Sequence, residues 1–280
     1  MTIHAGLEVR RRDGLWLRGE VAGDAPAPLV VLLHGGGQTR HAWAQTADRL
    51  LQAGFAVARY DARGHGDSDW SRDGDYRMET FADDLLDVLG ALGRPAALVG
   101  ASLGGVSALL AAAEAPERVR GLVLVDIVPR FASAGVERIR SFMLANPDGF
   151  ETLDAAVDAV RAYNPHRPPP RDPRGLLRSL RERDGRLHWH WDPLILGAPP
   201  DAALATLLSD RLGAIPPAVP LLLVAGADSD VVDPEALAGF ARQAPQAETV
   251  VVAQAGHMVA GDRNDAFGEA ITDFLQRTLG

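Results

Sequence analysis

A chain of 280 residues, 47% of them hydrophobic, can bury a large core, and α/β arrangements of this length often form one domain. A formal charge of −9 with scattered arginines argues against a nucleic-acid surface, and the absence of cysteine excludes disulfides and cysteine-ligated metal. The N-terminus lacks a basic segment followed by an apolar one, and no apolar run reaches membrane-spanning length. The expected location is cytoplasmic, with neither nucleic acid nor membrane as a partner.

In chain order, residues 15–21 alternate and predict an early antiparallel edge strand, while the continuous apolar run 29–33 predicts a strand covered on both faces. A helical stretch at 43–51 precedes a strand at 55–60. Residues 78–92 form an amphipathic helix with Phe81, Leu85, Val88 and Leu92 on one face. A short apolar strand at 95–99 leads into a small-residue helix at 106–113, and strands follow at 119–125, 221–224 and 249–252. A final helix spans about 265–279. Strands alternating with helices imply βαβ units and a mainly parallel sheet, an α/β fold. Residues 129–217 break this alternation. They are rich in Arg and Pro and contain helical patterns at 153–160 and 176–180. Phe131, Phe142, Phe150, Trp189 and Trp191 give them too much apolar surface for a disordered linker. The expectation is a core domain of residues 1–128 and 218–280, with a mostly helical cap at 129–217.

The stretch Val99-Gly100-Ala101-Ser102-Leu103-Gly104-Gly105 places one serine between a strand and a helix. Glycines on either side allow strand and helix to approach closely, and the turn exposes the serine hydroxyl above a helix N-terminus. A serine hydroxyl needs a base to take its proton and a third group to orient that base. His257 follows the strand at 249–252 and is the expected base. The acid is expected between Ser102 and His257 in chain order. Asp230 is favoured, Asp228 is the nearest alternative and Asp126, closing the strand at 119–125, is a further one; Asp233 reads as a helix cap before Pro234. A metal reading of the three clustered aspartates lacks a glycine-containing calcium-loop pattern. His34-Gly35-Gly36-Gly37 follows the strand at 29–33. There, Gly36 N–H, together with Leu103 N–H directly after the nucleophile, can hold an oxyanion.

With Asp61-Ala62-Arg63-Gly64-His65-Gly66-Asp67-Ser68 added, these motifs occur in an order that resembles the α/β-hydrolase fold superfamily over nearly the whole chain. The chain looks most like its small carboxylesterases and haloperoxidase-like relatives. The resemblance implies a cofactor-free serine hydrolase with a helical cap after the sixth strand, and a 61–68 loop that borders the active site and braces the elbow. The nucleophile position carries Ser102 rather than the Asp of epoxide hydrolases and haloalkane dehalogenases. The expected substrate is a small-molecule carboxylic ester, contacted by Gly35, Trp189, His190, Trp191 and Met258; a homodimer is compatible with the sequence. A perhydrolase, an acyltransferase and a non-catalytic ligand receptor are the alternative readings.

Overall fold

A computed structural model of the protein describes residues 4–130, 132–165, 172–197, 202–256 and 264–280. Its centre is an eight-stranded sheet of β1 (His4–Arg10), β2 (Trp16–Ala22), β3 (Leu29–Leu33), β4 (Ala56–Tyr60), β5 (Ala96–Ala101), β6 (Val119–Val125), β9 (Leu221–Gly226) and β10 (Glu248–Val252). The spatial order is β1-β2-β4-β3-β5-β6-β9-β10, with β1 and β2 antiparallel and every pairing from β4 onward parallel. The edge on this side is β1, which the sequence reading did not anticipate. β2 lies one place inward from it.

Alternation along each strand sends side chains to two separate cores. On β3, Val30 and Leu32 join Trp43 and the helices α1 (Ala44–Gln52) and α8 (Asn264–Leu279) through Leu50, Phe267, Ile271 and Phe274. Leu29, Val31 and Leu33 point the other way, into a cluster with α2 (Met78–Leu92), α3 (Leu103–Glu114), α6 (Ala202–Gly213) and α7 (Pro234–Gln243). The unbroken apolar run of β3 is therefore required by helices on both faces. At about 1.5–3 kcal/mol for each fully buried Val or Leu, this double cover dominates the stability of the sheet.

Between β6 and β9 the chain leaves the sheet. It forms α4 (Ser133–Leu144), α5 (Leu153–Tyr163) and the antiparallel hairpin β7 (Leu180–Arg183)–β8 (Arg186–Trp189) before α6. Met143, Phe150, Ala156, Leu180, Trp189 and Trp191 make a third cluster that belongs to this segment alone. The helical pattern at 176–180 resolves into a 3-10 turn over Pro173–Ser179, and the hairpin turns at Asp184-Gly185, both at positive φ (53° and 73°). This is the Asp-Gly signature of a tight two-residue hairpin. Among the described residues, no helix is long and apolar enough to cross a membrane.

Candidate active site

Ser102 sits between β5 and α3 at φ 48°, ψ −115°, a region that costs a non-glycine residue about 1–3 kcal/mol. The surroundings enforce it. A Cβ on Gly100 would run into the backbone of Gly104, and one on Gly104 would run into the Leu33 carbonyl. The elbow can close only with hydrogen at both positions. Ser102 N–H donates to Val125 O at 3.2 Å and Ser102 O accepts from Val106 N–H at 2.9 Å, which fixes the turn from both sides.

The glycine loop after β3 lies over the serine: a Cβ at Gly35 would be 3.5 Å from the Ser102 Cβ. Gly35 N–H donates to Gln38 Oε1 at 3.1 Å, and Gly37 N–H donates to His65 Nε2 at 3.1 Å. Among the described residues, Gly36 N–H finds no protein acceptor, and a Cβ there would meet open space. Leu103 N–H, the first of α3, is likewise without an acceptor among the described residues. Both expected oxyanion donors are thus unspent N–H groups, one on the residue directly after Ser102 and one directly after Gly35, which approaches the serine.

Three buried imidazoles brace this loop and the 61–68 loop beside it. His34 Nε2 accepts from Ala62 N–H at 2.9 Å, which puts its proton on Nδ1, 2.8 Å from Gly35 O. His65 Nε2 accepts from Gly37 N–H, so its Nδ1–H serves Arg63 O at 3.0 Å. His190 Nδ1 accepts from Gly66 N–H at 2.7 Å. The His34 and His65 rings are 5.0 Å apart and the His65 and His190 rings 5.9 Å apart. Burial is the first cause holding all three pKa values below the usual imidazole range, His190 at about 3. A second proton on any of them would face a backbone N–H.

This neutral cluster predicts acid sensitivity with a defined sign. The unfolded chain takes up histidine protons near pH 6.5 while these folded imidazoles, with lowered pKa values, do not, so this contribution to stability is full from about a unit above that pH and is lost as pH falls through it. For His190 the loss runs from about 6.5 down to about 3. Between pH 6.5 and 5 this residue alone removes about 2 kcal/mol. Urea unfolding at pH 7.5, 6.5, 5.5 and 5.0 measures the slope; a flat profile across this range would contradict the arrangement.

Asp126 follows β6 at φ 52° and is 1% exposed. Its Oδ1 accepts from Gly226 N–H at 3.0 Å and its Oδ2 from Ser229 Oγ–H at 2.6 Å. Two backbone contacts place this carboxylate. Ser102 N–H bonds to the carbonyl of the preceding residue, Val125, and a Cβ on Gly226 would collide with the carbonyls of Ala255 and Gly256, the residues just before position 257. Asp228 is exposed, and its N–H donates to Ala255 O at 2.9 Å. Asp230, favoured from sequence, has a side chain 34% exposed whose Oδ2 accepts from Arg138 NH1 at 2.9 Å on α4. A Cβ on Gly135 of α4 would strike the Asp230 backbone, so this residue is the seat on which α4 rests. Asp233 caps α7, its Oδ1 accepting from Ala236 N–H at 2.7 Å. His257 and Met258 lie outside the described residues.

The residues expected to contact substrate fall into different places. Trp191 stacks on Trp189 at 4.8 Å between centroids, and its Cζ3 would be 3.5 Å from a Cβ on Gly37. Met143, not anticipated from sequence, comes within 3.1 Å of the same point. Trp189 packs within the segment between β6 and β9, against Phe142 and Phe150. His190, 1% exposed, is turned away from solvent and clasps the 61–68 loop. Ser229 was also missed. A serine between two aspartates carries no local signal, and its partner is 103 positions away.

Comparison with known proteins places the fold. Residues 28–168 match the alpha/beta hydrolase fold family. The chain is 33% identical to Esterase Rv0045c of Mycobacterium tuberculosis over 262 residues, covering 89% of this chain and 83% of that one. It is also 33% identical to the sn-1-specific diacylglycerol lipase ABHD11 of Mus musculus over 260 residues, covering 90% and 82%. The crystal structure of E-2-(acetamidomethylene)succinate hydrolase superposes with a TM-score of 0.85 at 26% identity, covering 98% of this chain and 100% of that one. An eight-stranded sheet, a serine at a strained strand–helix turn and this matched extent lead to one conclusion: the chain belongs to the alpha/beta hydrolase fold family.

Proposed function

We propose that the protein hydrolyses a small-molecule carboxylic ester through an acyl-enzyme on Ser102, with His257 as base and Asp126 as the acid that orients it. The observation that carries this reading is the strained Ser102 followed by the unspent Leu103 N–H and approached by the glycine loop whose Gly36 N–H is also unspent. An esterase and a lipase among the relatives favour an ester as the bond cleaved. Assigning the acid to Asp126 departs from the sequence reading, which favoured Asp230. A buried carboxylate joined through backbone contacts to Ser102 and to Gly256 suits the role better than one paired with a surface arginine on α4.

The chemistry follows in two halves. His257 takes the Ser102 proton as Oγ attacks the ester carbonyl, and the two N–H groups receive the charge that develops on oxygen. One such donor is worth about 2.7–4 kcal/mol in the transition state. The imidazolium, held by the Asp126 carboxylate, gives its proton to the leaving alcohol. Water then attacks the acyl-enzyme with the same base, releasing the acid and restoring the serine. Met143 and Trp191, resting on the glycine loop, limit the space beside the acyl group.

Hydrolysis of p-nitrophenyl esters from acetate to octanoate tests the reading. The expected result is turnover without added cofactor, greatest for short acyl chains. Turnover only with peroxide would replace it with perhydrolysis, and product formation only with an added alcohol or amine would replace it with acyl transfer. Ligand-induced stabilisation with no turnover across the panel would replace it with a receptor.

A further inference from the structure

Ser229 Oγ donates to Asp126 Oδ2 at 2.6 Å and at the same time accepts from Val231 N–H at 3.2 Å and Val232 N–H at 3.1 Å. The two backbone donors occupy the lone pairs of the hydroxyl, so its single proton has one direction left, toward the carboxylate. Gly226 N–H fixes the other oxygen at 3.0 Å. Asp126 is thereby pinned at both oxygens in a position at φ 52°. Val231 also carries the carbonyl that accepts from Ala132 N–H at 2.9 Å, at the foot of α4. The segment that aims the Ser229 hydroxyl is thus the segment on which the cap begins.

We infer that Ser229 is a positioning residue for the hydrolytic reaction: its oriented hydroxyl sets the rotation of the Asp126 carboxylate and, through it, the base. This rests on Asp126 being the triad acid. Hydrogen bonds to charged groups are among the stronger ones in proteins, and a carboxylate free to rotate does not hold an imidazole in one orientation.

A double-mutant cycle on the full chain with p-nitrophenyl butyrate tests it. Ser229→Ala is expected to lower kcat about ten- to a hundredfold, with KM and melting temperature little changed, and Ser229→Thr, which keeps the hydroxyl, to recover to within about threefold of wild type. In an Asp126→Asn background the same Ser229→Ala change is expected to cost less than about twofold, because no carboxylate remains to be aimed. Should the alanine variant fail to fold, Ser229→Cys, similar in size with a weaker donor, is expected to show the kcat loss in its place. Wild-type turnover in Ser229→Ala beside an inactive Asp126→Asn overturns the inference and leaves the triad reading standing. Equal losses from Ser229→Ala in both backgrounds also overturn it, since that is the mark of a general structural defect. Wild-type turnover in Asp126→Asn itself is a failure of the triad reading, distinguishable from both.

Discussion

Ser102→Ala is expected to lower ester turnover by about 10⁶, Asp126→Asn by about 10⁴, and Asp230→Asn by less than about threefold. The first removes the nucleophile and leaves only binding and the two N–H donors. The second keeps the size of the buried side chain but replaces one carboxylate oxygen with an NH2 group, which cannot accept the bond that Gly226 N–H or Ser229 Oγ–H gives there, and it removes the charge proposed to steady the imidazolium. The third breaks one ion pair with Arg138, a residue half exposed to solvent, and such pairs are worth about 0–1 kcal/mol. Steady-state kinetics of the three variants, each checked for an unchanged melting temperature, separate the two aspartates by about three orders of magnitude. A large loss in Asp230→Asn with a small one in Asp126→Asn would reverse the assignment and return the acid to the loop after β9.

Arg63→Met is expected to destabilise the fold by about 3–5 kcal/mol, lowering the melting temperature by on the order of 10 °C. Arg63 and Asp84 are each 1% exposed, and the guanidinium grips the carboxylate at two points, Nε to Oδ2 at 2.6 Å and NH2 to Oδ1 at 2.7 Å. It also reaches Asp75 O at 3.2 Å, and Arg11 Nε approaches Asp84 Oδ1 at 2.5 Å. Burial pushes the Asp84 carboxyl up even beside these two cations, so the pair tolerates no loss of positive charge. Methionine fills much of the space but leaves a buried carboxylate short of its main partner. Replacing Asp84 by Leu in the same chain removes that charge, and the double variant is expected to recover most of the loss. Thermal unfolding of the two singles and the double measures this. An Arg63→Met chain as stable as wild type would mean that the pair carries no net load.

The elbow was legible because its constraint is local: the glycines that must lack side chains are within two residues of the serine. The central strands were legible because burial on both faces leaves unbroken apolar runs such as Leu29–Leu33. β1 was not, since an edge strand with one wet face shows only Leu7 and Val9 as its apolar pattern, interrupted by Gly6 and Glu8. The β7–β8 hairpin was not anticipated inside a segment expected to be mostly helical, although Asp184-Gly185 carried the turn signal. The proposed acid was the hardest part to read. Chain order leaves several aspartates eligible, and what distinguishes Asp126 lies in partners 100 and 103 positions away. His190 illustrates the same limit. A histidine between two tryptophans suggested a pocket wall, whereas its ring bonds to Gly66, 124 positions earlier.

The central claim is that Ser102 is the nucleophile, and covalent labelling tests it most directly. The protein is treated with a fluorophosphonate, weighed intact and mapped by peptide. The expected result is one adduct per chain, on the peptide containing Ser102, and none on Ser102→Ala. An adduct on another residue, or equal labelling of Ser102→Ala, would contradict the account.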